Sequence, residues 1–279
     1  MVTVAFLMMI VSFFNVGGDI DSLDIAGGDK VGVIDLTGVI YDSRAFVDEL
    51  DRFAGISSVK AIVIRINSPG GAVAASQELY TAIKRAREDI PIVVSMGNVA
   101  ASGGYYAAIG ADTIVANPGS TTGSIGVIAQ LTIFQELMDK IGVKQETIKS
   151  GKFKDTGSPY REMTKSERAY LQGWVDDTYE QFIEAVAEER GLMPDEVRKV
   201  ADGRVFTGRQ AREYGLIDVL GDFDDAVMIA GELGGIEGKP DLLERKKRKI
   251  TLFDILFGDF EKALAKFSGR STEIKYIMP

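Results

Sequence analysis

Histidine and cysteine are both absent from this 279-residue chain. The first absence closes every mechanism that takes a proton on an imidazole. The second closes thiolate nucleophiles, disulfides and zinc sites built on sulfur. A Ser-His-Asp triad is excluded unless another subunit lends a histidine. Cationic side chains are outnumbered, 32 Lys and Arg against 41 Asp and Glu, for a net charge of −9. Nucleic acid is therefore not an expected partner, because neutralising phosphates needs a basic surface. Proline is sparse at seven while glycine reaches 31, a balance that favours tight strand-to-helix turns over disorder. With 46% hydrophobic residues the protein can bury a full core and reads as one catalytic domain with short appendages.

Met1–Val16, MVTVAFLMMIVSFFNV, carries no charged residue and precedes Asp19, Asp21, Asp24 and Asp29. It falls just short of the ~17–25 residues of a spanning helix and has no clear A-x-A-like cleavage site. The expectation is an uncleaved anchor at 1–16, a linker at 17–29, a folded domain at 30–235 and a basic, amphipathic tail at 236–279. Such an anchor implies the cell membrane, with the folded domain on the extracytoplasmic side. In the tail, Glu244-Arg-Lys-Lys-Arg-Lys runs into Phe253, Leu256, Phe257, Phe260, Leu264 and Phe267 on one helical face. That pattern suits an anionic lipid surface, or packing on the domain or a neighbour.

From Lys30 onward, apolar runs of strand length alternate with segments of helical period. Strands are expected at Val31–Leu36, Ala61–Ile66, Pro91–Met96, Thr113–Ala116 and Val143–Ile148, and helices at Ser43–Ala54, Ala72–Arg87 and Thr164–Arg190, with a further one opening at Ala101. Continuous apolar strands separated by helices mean a mostly parallel sheet covered on both faces, an α/β fold of repeated βαβ units. The turns Ser68-Pro-Gly-Gly and Ser102-Gly-Gly then lie at one edge of that sheet, where such folds bind ligands.

Ser102 sits where a strand gives way to a helix, among the unpaired N–H groups that stabilise a developing oxyanion. Gly71 of the preceding turn repeats the design, so its N–H and that of Gly103 would meet one oxygen from two sides. Without histidine, the proton of Ser102 must go to Lys, Asp, Glu or Tyr. Lysine is the best chemical match if it is shielded from water, since shifting an ordinary lysine by about three units takes roughly 4 kcal/mol of desolvation. Lys149, Lys152 and Lys154, in one loop after a predicted strand, are the candidates, and spacing does not choose among them.

Ile66-Asn-Ser-Pro-Gly-Gly, Ser95-Met-Gly-Asn-Val-Ala-Ala-Ser-Gly-Gly-Tyr-Tyr, Thr122-Gly-Ser-Ile-Gly-Val, Ile148-Lys-Ser-Gly-Lys-Phe-Lys-Asp, Glu162-Met-Thr and Ala201-Asp-Gly-Arg-Val-Phe-Thr-Gly-Arg-Gln-Ala occur in an order that resembles the SppA signal peptide peptidases. The resemblance runs from about Val31 to Gly221. It implies a fold of the Clp-protease/crotonase type, no cofactor or metal, and a homo-oligomeric ring or dome acting on peptides or membrane proteins. It also implies Ser102 as nucleophile, Lys154 rather than Lys152 as general base, Ser124 as the group that orients the lysine, and Gly71 and Gly103 as the oxyanion hole. Ala72 stands where the family often has a third glycine. Three rivals are an acyl-CoA enzyme of the crotonase kind, a membrane peptidase trimming stomatin-like partners, and a catalytically silent scaffold.

Overall fold

The computed structural model describes residues 27–244 and the backbone of the strand Lys275–Ile277. The expected anchor at 1–16 and the amphipathic face between Phe253 and Phe267 lie outside those residues. Among the described residues no helix is long and apolar enough to cross a membrane.

Ten strands and eight helices are described. In sequence order they are β1 (Lys30–Thr37), α1 (Arg44–Ala54), β2 (Val59–Ser68), β3 (Gly70–Ala72), α2 (Val73–Ala86), β4 (Ile92–Ala101), α3 (Gly103–Ala108), β5 (Thr113–Ala116) and β6 (Thr121–Gly123). There follow α4 (Gln135–Lys140), α5 (Lys165–Arg190), α6 (Pro194–Arg198), β7 (Val205–Thr207), α7 (Gly208–Glu213), β8 (Val219–Leu220), α8 (Phe223–Leu233), β9 (Asp241–Glu244) and β10 (Lys275–Ile277). The main sheet runs β7-β6-β4-β2-β1-β9, with β5 and β8 branching from β4. Every pairing in it is parallel except β6 with β7. It runs past residue 235, because β9 pairs with β1.

Alternation along the central strands builds two cores. Ile62, Ile64 and Ile66 of β2 point to the face covered by α1, α2, α3 and α5, where Leu50, Phe53, Leu79, Ile83, Tyr105 and Phe182 are fully buried. Ala61 and Val63 point the other way, with Val31, Val93 and Val115, against Ala226, Val227 and Ala230 of α8. This two-sided burial is why the strands read as continuous apolar runs.

One expectation needs correction. Val143–Ile148 is not a strand: residues 141–154 are all exposed, and Ile148 is 97% exposed. Its sequence has strand character, but within one copy no neighbouring strand offers a ladder, and an isolated strand does not hold in water. The long helix forms, with Thr164 closing a capping box on Glu167 and Gly191 ending it in the left-handed region at φ 63°. Only its second half joins the core, however, through Phe182, Ile183 and Val186, while Tyr170 and Trp174 are exposed.

β4 carries two residues more than β2 between the pairs Ile66–Met96 and Ser68–Ala100. The Asn67 side chain accepts a 3.2 Å hydrogen bond from Val99 N–H inside this bulge. Past it, β4 leaves β5 and pairs with β6, Ala101 opposite Gly123. The bulge thus turns the end of β4 toward the start of α3. Phe53, fully buried between α1 and β1, tests the larger core: Phe53→Ala should lower unfolding free energy by about 3–5 kcal/mol in urea titrations.

Candidate active site

Among the described residues only two non-glycine residues have positive φ, Ser102 at 52° and Ser124 at 50°. Such backbone costs on the order of 1–3 kcal/mol per residue and persists only where the surroundings over-determine it. Here they do. Ser102 N–H donates to Gly123 C=O at 2.8 Å, and its own C=O accepts from Tyr106 N–H at 2.8 Å. Ser124 N–H donates to Arg204 C=O at 2.8 Å. The two strained serines therefore stand side by side where β4 and β6 end. Ser102 is fully buried and its Oγ has no hydrogen-bond partner among the described residues, a state that costs roughly 1–3 kcal/mol if nothing else arrives.

The turn after β2 is built for close approach. Ser68 Oγ accepts from Gly70 N–H at 3.1 Å, and Gly70 takes φ 98°. Gly70 C=O accepts from Ile40 N–H at 2.9 Å and Ala72 N–H donates to Ile40 C=O at 2.7 Å. Since alternate groups of an extended backbone face opposite ways, the N–H and C=O of Gly71 point to the other edge. A Cβ at Gly71 would lie 1.9 Å from the Ile40 carbonyl oxygen, so no side chain fits. One at Gly104 would lie 2.8 Å from the Ser68 carbonyl oxygen, which is what lets α3 pack against this turn. Gly103 supplies the first N–H of α3, which has no carbonyl partner within the helix. On the open edge of β3 lies β10, antiparallel, with Tyr276 opposite Gly71 and α3 alongside.

The tyrosines after Ser102 are structural. Tyr105 donates to Leu216 C=O at 2.8 Å, and burial pushes its phenol well above the ordinary range. Burial also raises Tyr106, which packs on Tyr80 and Phe182. Both stay protonated and are excluded as bases.

The three candidate lysines lie on an exposed arm between β6 and α5, where they have different surroundings. Lys149 pairs with Asp155. Lys152 sits over the Phe153 ring at 5.2 Å. The Lys154 side chain is exposed and has no hydrogen bond or ion pair among the described residues. Within one copy it does not hydrogen-bond to Ser102. The arm is tied to the body by Phe153 against Tyr170, 5.2 Å between centroids, and by an ion cluster of Asp155, Arg161 and Glu167. Periodicity and motif spacing do not reveal that cluster, although Thr164-x-x-Glu167 after Arg161 is its visible signal.

The family profile described as Peptidase family S49 matches residues 84–237. The protein belongs to peptidase family S49. A Synechocystis relative is 44% identical over 77% of this sequence and 77% of its own length. The chloroplastic serine protease SPPA of Arabidopsis thaliana is 35% identical over 81% of this sequence and 34% of its own. Among solved structures, a membrane-bound stomatin-specific protease covers 80% of this sequence and 100% of its own at TM-score 0.50 and 17% identity, a likeness of fold. An S49 enzyme is a serine peptidase, and Ser102 is a strained, fully buried serine at the strand-helix junction.

Gly71→Ala tests the turn. A methyl group there must displace either β3 or the Ile40 backbone, so peptide hydrolysis should fall on the order of 10²–10³-fold, the loss typical of one oxyanion donor. Retention of full activity would show that the turn absorbs a methyl group without loss to the reaction.

Proposed function

We propose that this S49 peptidase is a membrane-anchored endopeptidase that hydrolyses apolar peptides, such as cleaved signal peptides, through a Ser102–Lys154 dyad. It works as a homo-oligomer in which the arm of one copy brings Lys154 to Ser102 of another. The observation that carries this reading is the buried Ser102 hydroxyl without a partner, in a protein that has no imidazole anywhere. Its proton acceptor must come from outside its own immediate fold. The arm carries an exposed lysine free of carboxylates, together with exposed Phe134, Leu137, Ile141, Val143, Ile148 and Phe153 that a neighbouring copy would cover. Covering the arm would strip water from the amine, the condition under which a lysine serves as a base.

In the proposed cycle, neutral Lys154 takes the Ser102 proton as the alkoxide attacks the scissile carbonyl. The N–H groups of Gly71 and Gly103 hold the oxyanion, and the lysine hands its proton to the leaving amine. It then activates water for deacylation, with Ser124 orienting the amine. A peptide substrate is supported by β10, which shows that the edge of β3 beside α3 accepts an extended segment. The reading takes Met1–Val16 as the anchor, supported by its uncharged, apolar composition, with the enzyme at the cell membrane and its catalytic domain on the extracytoplasmic side.

Ser102→Ala and Lys154→Ala should each abolish cleavage of an apolar fluorogenic peptide, whereas Lys152→Ala should retain it. Mixing the two inactive variants under conditions of subunit exchange should restore activity, up to roughly a quarter of the sites when serine and lysine come from independent copies. Absence of any recovery, with exchange verified, would confine the dyad to one copy. Strong activity in Lys154→Ala would remove the lysine from the mechanism.

A further inference from the structure

Lys154 is followed directly by a carboxylate. An aspartate free to fold back on that amine would hold it as an ammonium ion and remove it as a base. Both oxygens of Asp155 are engaged elsewhere. Oδ1 pairs with Lys149 and lies 2.9 Å from Arg161 Nη2, and Oδ2 accepts from Arg161 Nε at 3.0 Å. Arg161 Nη2 also donates to the Asp155 backbone carbonyl at 3.2 Å. The other side of the guanidinium meets Glu167 in the first turn of α5, Nη1 on Oε2 at 2.9 Å and Nη2 on Oε1 at 2.5 Å. The Glu167 side chain is only 2% exposed, and it is fixed in turn by Thr164 N–H at 2.9 Å and by the Thr164 hydroxyl at 2.9 Å.

Resting on the assignment of Lys154 as the base, we infer that Arg161 is a positioning residue: it clasps Asp155 to Glu167, seats the lysine-bearing turn on the start of α5 and keeps the Asp155 carboxylate off Lys154. The planar guanidinium suits this role because it presents donors to two carboxylates at once, which an ammonium does not. Among the described residues, the charged groups in contact within this cluster are Lys149, Asp155, Arg161 and Glu167, a set that sums to neutrality. Lys152 and Lys154 stand on the same turn, and the Tyr170 phenol faces it from α5 through Phe153. Arg161 holds the Glu167 carboxyl down to about 2 and, with Lys149, holds Asp155 below the ordinary carboxylate range. Both carboxylates are therefore ionised at neutral pH.

The test is the pH dependence of kcat/KM for the full-length protein in detergent, with an apolar fluorogenic peptide as substrate. In Arg161→Met, Asp155 keeps only Lys149, and its second carboxylate oxygen is freed toward Lys154. The acidic limb should move to higher pH, so that activity at neutral pH falls on the order of tenfold and returns as pH rises. Adding Asp155→Asn to Arg161→Met should bring the limb back, a rescue that a purely structural role would not give. A limb that stays in place, whether activity is lost at all pH values or unchanged, overturns the inference, as does failure of the double variant to restore it. Should Arg161→Met not fold, Arg161→Lys carries the test, because an ammonium does not present paired donors to two carboxylates at once: its limb should also move to higher pH, and an unmoved limb counts against the clasp. Lys154→Ala is the separate control: strong activity there removes the base assignment itself, whereas an inactive Lys154→Ala with an unmoved limb in Arg161→Met removes only the role of Arg161.

Discussion

The backbone hydrogen bond from Ser102 N–H to the Gly123 carbonyl, 2.8 Å long, joins the end of β4 to the end of β6, and the site is arranged around it. It holds Ser102 in a conformation that a residue with a side chain rarely adopts, and it sets the equally strained Ser124 one residue beyond the acceptor. The bulge opposite Asn67 makes this pairing reachable, and the glycines at 71 and 104 let β3 and α3 close around it. The energy for two strained residues comes from the large apolar face beneath, where Ile62, Ile64, Ile66, Tyr105 and Phe182 are fully buried.

Much of this was legible in the sequence because the physics is local. Apolar runs rich in Ile and Val, such as Ala61–Ile66 and Pro91–Met96, read as strands buried on both faces, and the structure places both in the centre of the sheet. The turns at Ser68–Gly71 and Ser102–Gly104 singled out Ser102, Gly71 and Gly103 as candidates, whereas Ser124 was named by the family resemblance alone. What escaped depended on partners remote in sequence. β4 runs five residues further than expected, through Gly97-Asn-Val-Ala-Ala, because β6 supplies the ladder there and apolar periodicity gives no sign of it. Val143–Ile148 has strand composition with no ladder to join. β9 is four residues long and mostly exposed, below the length at which a pattern can be recognised. The Arg161 clasp spans a turn whose geometry the sequence does not encode by spacing alone.

A serine peptidase without histidine distributes its chemistry differently from a triad. In a triad the base is local, aligned and carries its own orienting carboxylate. In this protein Ser102 is strained and interior, whereas Lys149, Lys152 and Lys154 lie on a projecting arm held near them by an aromatic contact and an ion cluster. The two halves differ in packing: the body is buried side chain on side chain, and the arm from 141 to 154 is solvent-exposed throughout.

The contact between Gly71 and the Ile40 backbone reaches further than geometry. Since any Cβ at position 71 collides with backbone atoms and not with a pliable side chain, no single compensating substitution at Ile40 can make room. A sequence that builds this turn is held to glycine at position 71, and variation in the strand is left to the neighbouring positions, Ala72 among them.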